Sequence, residues 1–174
     1  YNEDPDKVKR KPIATLYRLA PNLSLTQLLS NITVSNGIAF SENENIMYFA
    51  DTPTGRIQKF EYTKNFNKFY ELEANMIFQN VGEPDGATVD IDNNYWSARV
   101  RGKCIICVDT KDETIIEKIS LPTNTPTCVT FGGANLNSLY ITSLRADPTS
   151  DNEGGNLHKI ETSTQGRAQL LTDI

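Results

Sequence analysis

The chain has 174 residues, with 17 basic and 22 acidic side chains, a net charge of −5 and no basic stripe interleaved with aromatics. This argues against nucleic acid as a main ligand and leaves cation binding unopposed. No apolar run approaches the ~20 residues that span a bilayer, so no membrane partner is expected, and three cysteines, an odd number, favour a reducing, cytoplasmic setting over a disulfide framework.

Residues 1–14 include the mixed-sign run from Glu3 to Pro12 with two prolines, which predicts a flexible tail or connecting loop. Thr15-Leu16-Tyr17-Arg18-Leu19 and Leu25-Thr26-Gln27-Leu28-Leu29 predict two strands, the outer half of one blade over 15–34. A longer pattern then recurs three times. Asn36-Gly37-Ile38-Ala39-Phe40, Asp85-Gly86-Ala87-Thr88-Val89 and Thr127-Cys128-Val129-Thr130-Phe131 begin units 49 and 42 residues apart. Second strands follow at Ile46 to Asp51, Tyr95 to Ala98 and Leu139 to Ser143, and third strands at Arg56 to Phe60, Cys104 to Val108 and Asn156 to Ile160. Fourth strands are expected at Phe69 to Phe78, Thr114 to Leu121 and Arg167 to Leu171. A period of this size made only of strands and turns predicts a β-propeller with one four-stranded blade per repeat. The expected units are 35–80, 81–122 and 123–174, so 1–174 is one partial all-β propeller domain of about three and a half blades. An open arc leaves apolar faces in water, and missing residues or a second chain are expected to cover them.

Each repeat begins with its innermost strand, which places Asn36, Asp85 and Thr127 at the mouth of the central channel. Gly37 and Gly86 allow close backbone approach after the first two. An amide oxygen and a carboxylate oxygen on adjacent blades are hard donors, suited to Ca²⁺, Mg²⁺ or Mn²⁺, and to Zn²⁺ if a further carboxylate joins; the alternative is that Asn-Gly and Asp-Gly simply form turns. Asp51 before Thr52-Pro53-Thr54-Gly55 reads as a residue bonding nearby backbone amides. Glu83 precedes Pro84, is held extended and points away from the mouth. His158 lacks the company of a Ser-His-Asp mechanism. Trp96 reads as core between blades, and Arg99, Arg101 and Lys103 as a solvated face. Cys104 and Cys107 lie three apart in a strand and so point to opposite faces, against a redox or zinc role. Asn22 and Asn31 fit the glycosylation acceptor pattern, which arises by chance in an asparagine-rich chain.

Five segments, in order, resemble one family: Ser35-Asn36-Gly37-Ile38-Ala39-Phe40-Ser41, Met47-Tyr48-Phe49-Ala50-Asp51-Thr52, Gly82-Glu83-Pro84-Asp85-Gly86-Ala87-Thr88-Val89-Asp90, Tyr95-Trp96-Ser97-Ala98 and Pro126-Thr127-Cys128-Val129-Thr130-Phe131-Gly132-Gly133. As a set they are similar to the second half of the senescence-marker-protein/gluconolactonase/luciferin-regenerating-enzyme family, also called the regucalcin family. The resemblance implies a six-bladed propeller with one divalent metal at the channel mouth, held by a glutamate of the first blade, an asparagine and an aspartate. The last two fall on Asn36 and Asp85; the glutamate belongs to an N-terminal half outside these residues. The implied activity is hydrolysis of a sugar lactone, with the metal (Ca²⁺, Zn²⁺, Mn²⁺ or Mg²⁺) as Lewis acid and Asp85 as both ligand and general base. The alternative is a noncatalytic module binding Ca²⁺ or another protein.

Overall fold

The computed structural model describes residues 10–41, 44–64, 66–145 and 149–168. Among them the strands are β1 (Ala14–Leu19), β2 (Leu25–Ile32), β3 (Ser35–Ser41), β4 (Ile46–Asp51), β5 (Arg56–Tyr62), β6 (Phe69–Ile77), β7 (Glu83–Val89), β8 (Tyr95–Val100), β9 (Cys104–Asp109), β10 (Thr114–Ser120), β11 (Pro126–Gly132), β12 (Ser138–Ser143) and β13 (Leu157–Glu161). They form four antiparallel sheets in sequence order, β1-β2, β3-β4-β5-β6, β7-β8-β9-β10 and β11-β12-β13. The edge strands β3, β7 and β11 lie side by side and form the inner rim. The architecture is an all-β propeller fragment. Among the described residues no helix is long and apolar enough to cross a membrane.

Period-two alternation decides which neighbour each side chain meets. In β4, Met47 and Phe49 pack toward the β1-β2 sheet with Ile32 and Phe60, while Tyr48 and Ala50 face the next blade with Ile57, Met76, Tyr95 and Ile106. In β8 and β9, Trp96, Ala98, Ile105 and Cys107 turn the other way, onto Val129, Phe131, Leu139 and Ile141. Strands buried on both faces therefore read as unbroken apolar runs, as in Ile46 to Ala50, whereas β10, outermost in its sheet, is almost wholly exposed. Each large apolar side chain buried in these layers contributes about 1.5–3 kcal/mol. Trp96 is core, as expected, edge-on to Phe131 with ring centroids 5.6 Å apart. Cys104 and Cys107 lie in different layers, also as expected, and the three cysteines are free.

Two expectations fail. The strand expected at Arg167 to Leu171 is absent from its described part: Arg167 and Ala168 lie outside any strand, and 169–171 fall outside the described residues. The chain there turns against the neighbouring blade, where Gly166 bridges to Asp90 and Arg167 Nη2 donates to Asn93 Oδ1 at 2.6 Å. Arg99, expected on a solvated face with Arg101 and Lys103, is fully buried. It lies on the same face of β8 as Tyr95 and donates from Nη2 to the Gly82 carbonyl at 2.7 Å. That main-chain carbonyl, in the connector between blades, accepts one of its hydrogen bonds, while among the described residues Arg99 Nε and Nη1 are buried with no hydrogen-bond partner.

Candidate functional site

Each inner strand carries a register shift at its first residues, between Asn36 and Ala39 in β3, Pro84 and Ala87 in β7, and Pro126 and Cys128 in β11. A bulge inserts a residue, bends the strand and re-aims the side chain next to it. Asn36 stands at the edge of the first bulge, and Asp85 and Thr127 fall within the other two. In β3 the bulge is built on Gly37, whose φ is +59°, a conformation costly to residues with a Cβ. β3 lies against β7 closely enough that a Cβ on Gly37 would come within 3.3 Å of the Asp85 carbonyl oxygen. A Cβ on Gly86 would meet Cys128 Sγ at 2.6 Å and the Thr127 carbonyl oxygen at 2.8 Å. The two glycines permit the approach of the three strands. A cavity of ≈ 240 Å³ between them is walled by Asn36, Gly37 and Ile38, by Gly86 and Ala87, and by Cys128, with Leu16, Ser35 and Phe49 completing it.

Asn36 Nδ2 donates to Thr52 Oγ1 at 2.7 Å, and Thr52 Oγ1 donates to the Pro84 carbonyl oxygen at 2.8 Å. Asp51, one residue earlier, accepts from the backbone N–H groups of Thr33 (3.0 Å) and Val34 (2.7 Å). It is thus a structural carboxylate, but its amide partners lie in the connector leading into β3 rather than in the turn that follows it. Glu83 is drawn outward to Arg101, with Oε1 accepting from Nη1 at 3.2 Å. His158 lies in β13 opposite Ile141, half-buried. Asn22 uses its Oδ1 to accept from the backbone and hydroxyl of Ser24. Asp90, which sequence reasoning passed over, is fully buried and accepts from Asp92 N, Asn94 N, Asn94 Nδ2 and Trp96 Nε1 at 2.8–3.1 Å, closing the β7–β8 turn.

Asp85 differs from these structural carboxylates. Burial pushes its pKa up to about 6, against a downward pull from the Gly86 backbone N–H. The folded value exceeds the unfolded one, so ionisation costs stability, a cost that grows as pH rises from about 4 through about 6 and is complete above. Asp85→Asn is therefore expected to melt higher than the parent in chelator at pH 7.5, with the gap closing near pH 4. Parallel melting curves at the two pH values check this, and an unchanged gap would contradict the burial of the charge.

Comparison with known proteins places the chain in a family. The sequence model of the SMP-30/Gluconolactonase/LRE-like region matches residues 1–145. The pentonolactonase XacC of Haloferax volcanii is 27% identical over 169 residues, covering 91% of this chain and 58% of the relative. The 6-deoxy-6-sulfogluconolactonase of Pseudomonas putida is 33% identical over 125 residues, covering 71% and 43%. A solved luciferin-regenerating enzyme superposes with a TM-score of 0.77 at 28% identity, covering 88% of this chain and 53% of that one. The chain spans about half the length of the curated relatives it matches. It belongs to the SMP-30/gluconolactonase/LRE-like family.

Proposed function

We propose that this chain supplies part of the active site of a metal-dependent sugar-lactone hydrolase, with Asn36 and Asp85 as ligands of one divalent cation and Asp85 as general base. The observation that carries the reading is Asp85 itself, a half-buried carboxylate whose raised pKa is dominated by burial, on an inner strand that adjoins the one bearing Asn36. A charge desolvated in this way is stabilised by a cation. The donor set suits Ca²⁺, Mg²⁺ or Mn²⁺, or Zn²⁺ with a further carboxylate. Among the described residues no three His, Cys, Asp or Glu side chains converge. Asn36 and Asp85 fit the ion as two of its ligands, and water or further protein provides the rest.

When bound, the cation would supply Lewis-acid polarisation of the lactone carbonyl. Asp85, held ionised by the cation, would take the proton of the attacking water. Asn36 cannot ionise, so it adds a donor oxygen without cancelling positive charge. The named pentonolactonase and sulfogluconolactonase relatives support a sugar lactone as substrate, and the free cysteines suit a cytoplasmic setting. Tyr17, Leu19 and Leu25 of the β1-β2 sheet are 51%, 59% and 64% exposed. The other half of the ring or a second chain covers this face in the intact protein.

Hydrolysis of gluconolactone by the intact protein, followed by acid release, is expected to fall at least about 10²-fold in chelator and to return with Ca²⁺ or Zn²⁺. Undiminished hydrolysis after exhaustive chelation would overturn the metal reading. Cation binding without hydrolysis would instead favour a noncatalytic Ca²⁺-binding module.

A further inference from the structure

The Thr52 hydroxyl lies between the two strands that carry Asn36 and Asp85, and its bonding decides which atom of Asn36 is presented to a ligand. A hydroxyl has one proton. Thr52 spends it on the Pro84 carbonyl oxygen, which can only accept, at 2.8 Å. The 2.7 Å contact with the Asn36 amide must then be one in which Thr52 accepts. The atom of Asn36 facing Thr52 is therefore Nδ2, and Oδ1 is turned away from it. The carbonyl bound by Thr52 is the one joined to the Asp85 nitrogen, so the same proton fixes the peptide plane that delivers Asp85.

Thr52 is in turn held on its own backbone. Its N–H donates to the Val34 carbonyl oxygen at 3.0 Å, and its carbonyl oxygen accepts from Gly55 N at 3.0 Å, closing the 3₁₀ turn Thr52–Thr54. Asp51 grips the amides of Thr33 and Val34 alongside. Branching at Cβ restricts χ1 of Thr52 further. The hydroxyl is thus presented from a fixed backbone, with one lone pair toward β3 and its proton toward β7.

We propose that Thr52 is a positioning residue for the cation site: it turns the Asn36 amide so that Oδ1 is the donor on offer, and it registers the Asp85 peptide against that oxygen. The inference rests on the reading of Asn36 and Asp85 as cation ligands. A plain staple between blades would have a different signature, a loss of stability with no selective effect on the cation.

The test is calorimetric titration of Ca²⁺ alone into the intact, metal-stripped protein and its variants. Thr52→Val keeps the shape and removes the hydroxyl; its Ca²⁺ affinity is expected to fall about 10- to 100-fold, the range for partners that orient metal ligands, and Thr52→Ser is expected to restore most of it. Once Asn36→Ala has removed the amide, Thr52→Val should cost much less, because the two act as one unit. A Thr52→Val protein that binds Ca²⁺ like the parent overturns the proposal, as does a loss of the same size in the Asn36→Ala background. A parent that binds none of Ca²⁺, Mg²⁺, Mn²⁺ and Zn²⁺ in the same titration overturns the cation reading itself, and the role of Thr52 with it. One measurement needs no variant that folds: in the metal-stripped parent, a side-chain amide proton of Asn36 is expected to be protected from solvent exchange by its bond to Thr52, and free exchange of both would count against the proposal.

Discussion

Asp85→Asn is expected to lower sugar-lactone hydrolysis by about 10²-fold or more at saturating metal, the lower end of the 10²–10⁴ that a positioned general base contributes. Asparagine keeps the size of the side chain and an oxygen that can accept from the Gly86 N–H, but it cannot take a proton from water, and its neutral oxygen is a weaker ligand. The fold should survive. Because burial raises the pKa of Asp85 to about 6, removing its charge relieves desolvation at neutral pH instead of breaking an ion pair. Loss of activity with unchanged or higher metal-free stability separates this role from that of a turn-forming aspartate, for which substitution would lower the melting temperature. An undiminished rate with metal present would remove Asp85 as the base.

Gly37→Ala is expected to destabilise the protein by about 2–4 kcal/mol, combining about 1 kcal/mol for a left-handed residue that gains a Cβ with about 1–3 kcal/mol for overpacking. The added carbon would stand 2.4 Å from Tyr95 Oη and 2.9 Å from Ala50 Cβ. Neither can yield easily: both are fully buried, and Tyr95 Oη donates to the Gly37 carbonyl oxygen at 2.7 Å. For a chain of this size the melting temperature should fall by about 5–15 °C. Cation affinity should fall with it, since β3 and β7 must separate and Asn36 is the next residue. Gly55→Ala is the control, because Gly55 also has a positive φ, +69°, but a Cβ there meets nothing within 4 Å. Equal melting temperatures for the two variants would show that contact between blades does not depend on Gly37.

The features legible in the sequence were those encoded locally. Strand starts at Asn36, Asp85 and Thr127 could be placed because the repeat returns after 49 and 42 residues, and the opposite facings of Cys104 and Cys107 follow from the period of a strand. Alternation with Arg101 and Lys103 imitates a wet face at Arg99, which is instead buried and donates to the Gly82 carbonyl, 17 residues away in the connector between blades. Asp90 carries no local signal of its role, because its bond to Trp96 Nε1 depends on how the hairpin closes. Thr52 was invisible for the same reason: its partners Asn36 and Pro84 are 16 and 32 residues distant, and only the packing of β3 against β7 brings them together. At Arg167, a polar turn and apolar residues looked like the start of a strand, but bonding to the neighbouring blade takes the chain elsewhere.

The most direct test of the site is a crystal structure of the intact protein grown with Ca²⁺, using anomalous scattering to place the ion. The expected result is one ion at the inner rim with Asn36 Oδ1 and an Asp85 carboxylate oxygen each about 2.3–2.6 Å away. An ion bound elsewhere, or those two oxygens more than about 6 Å apart and so unable to share one ion, would contradict it.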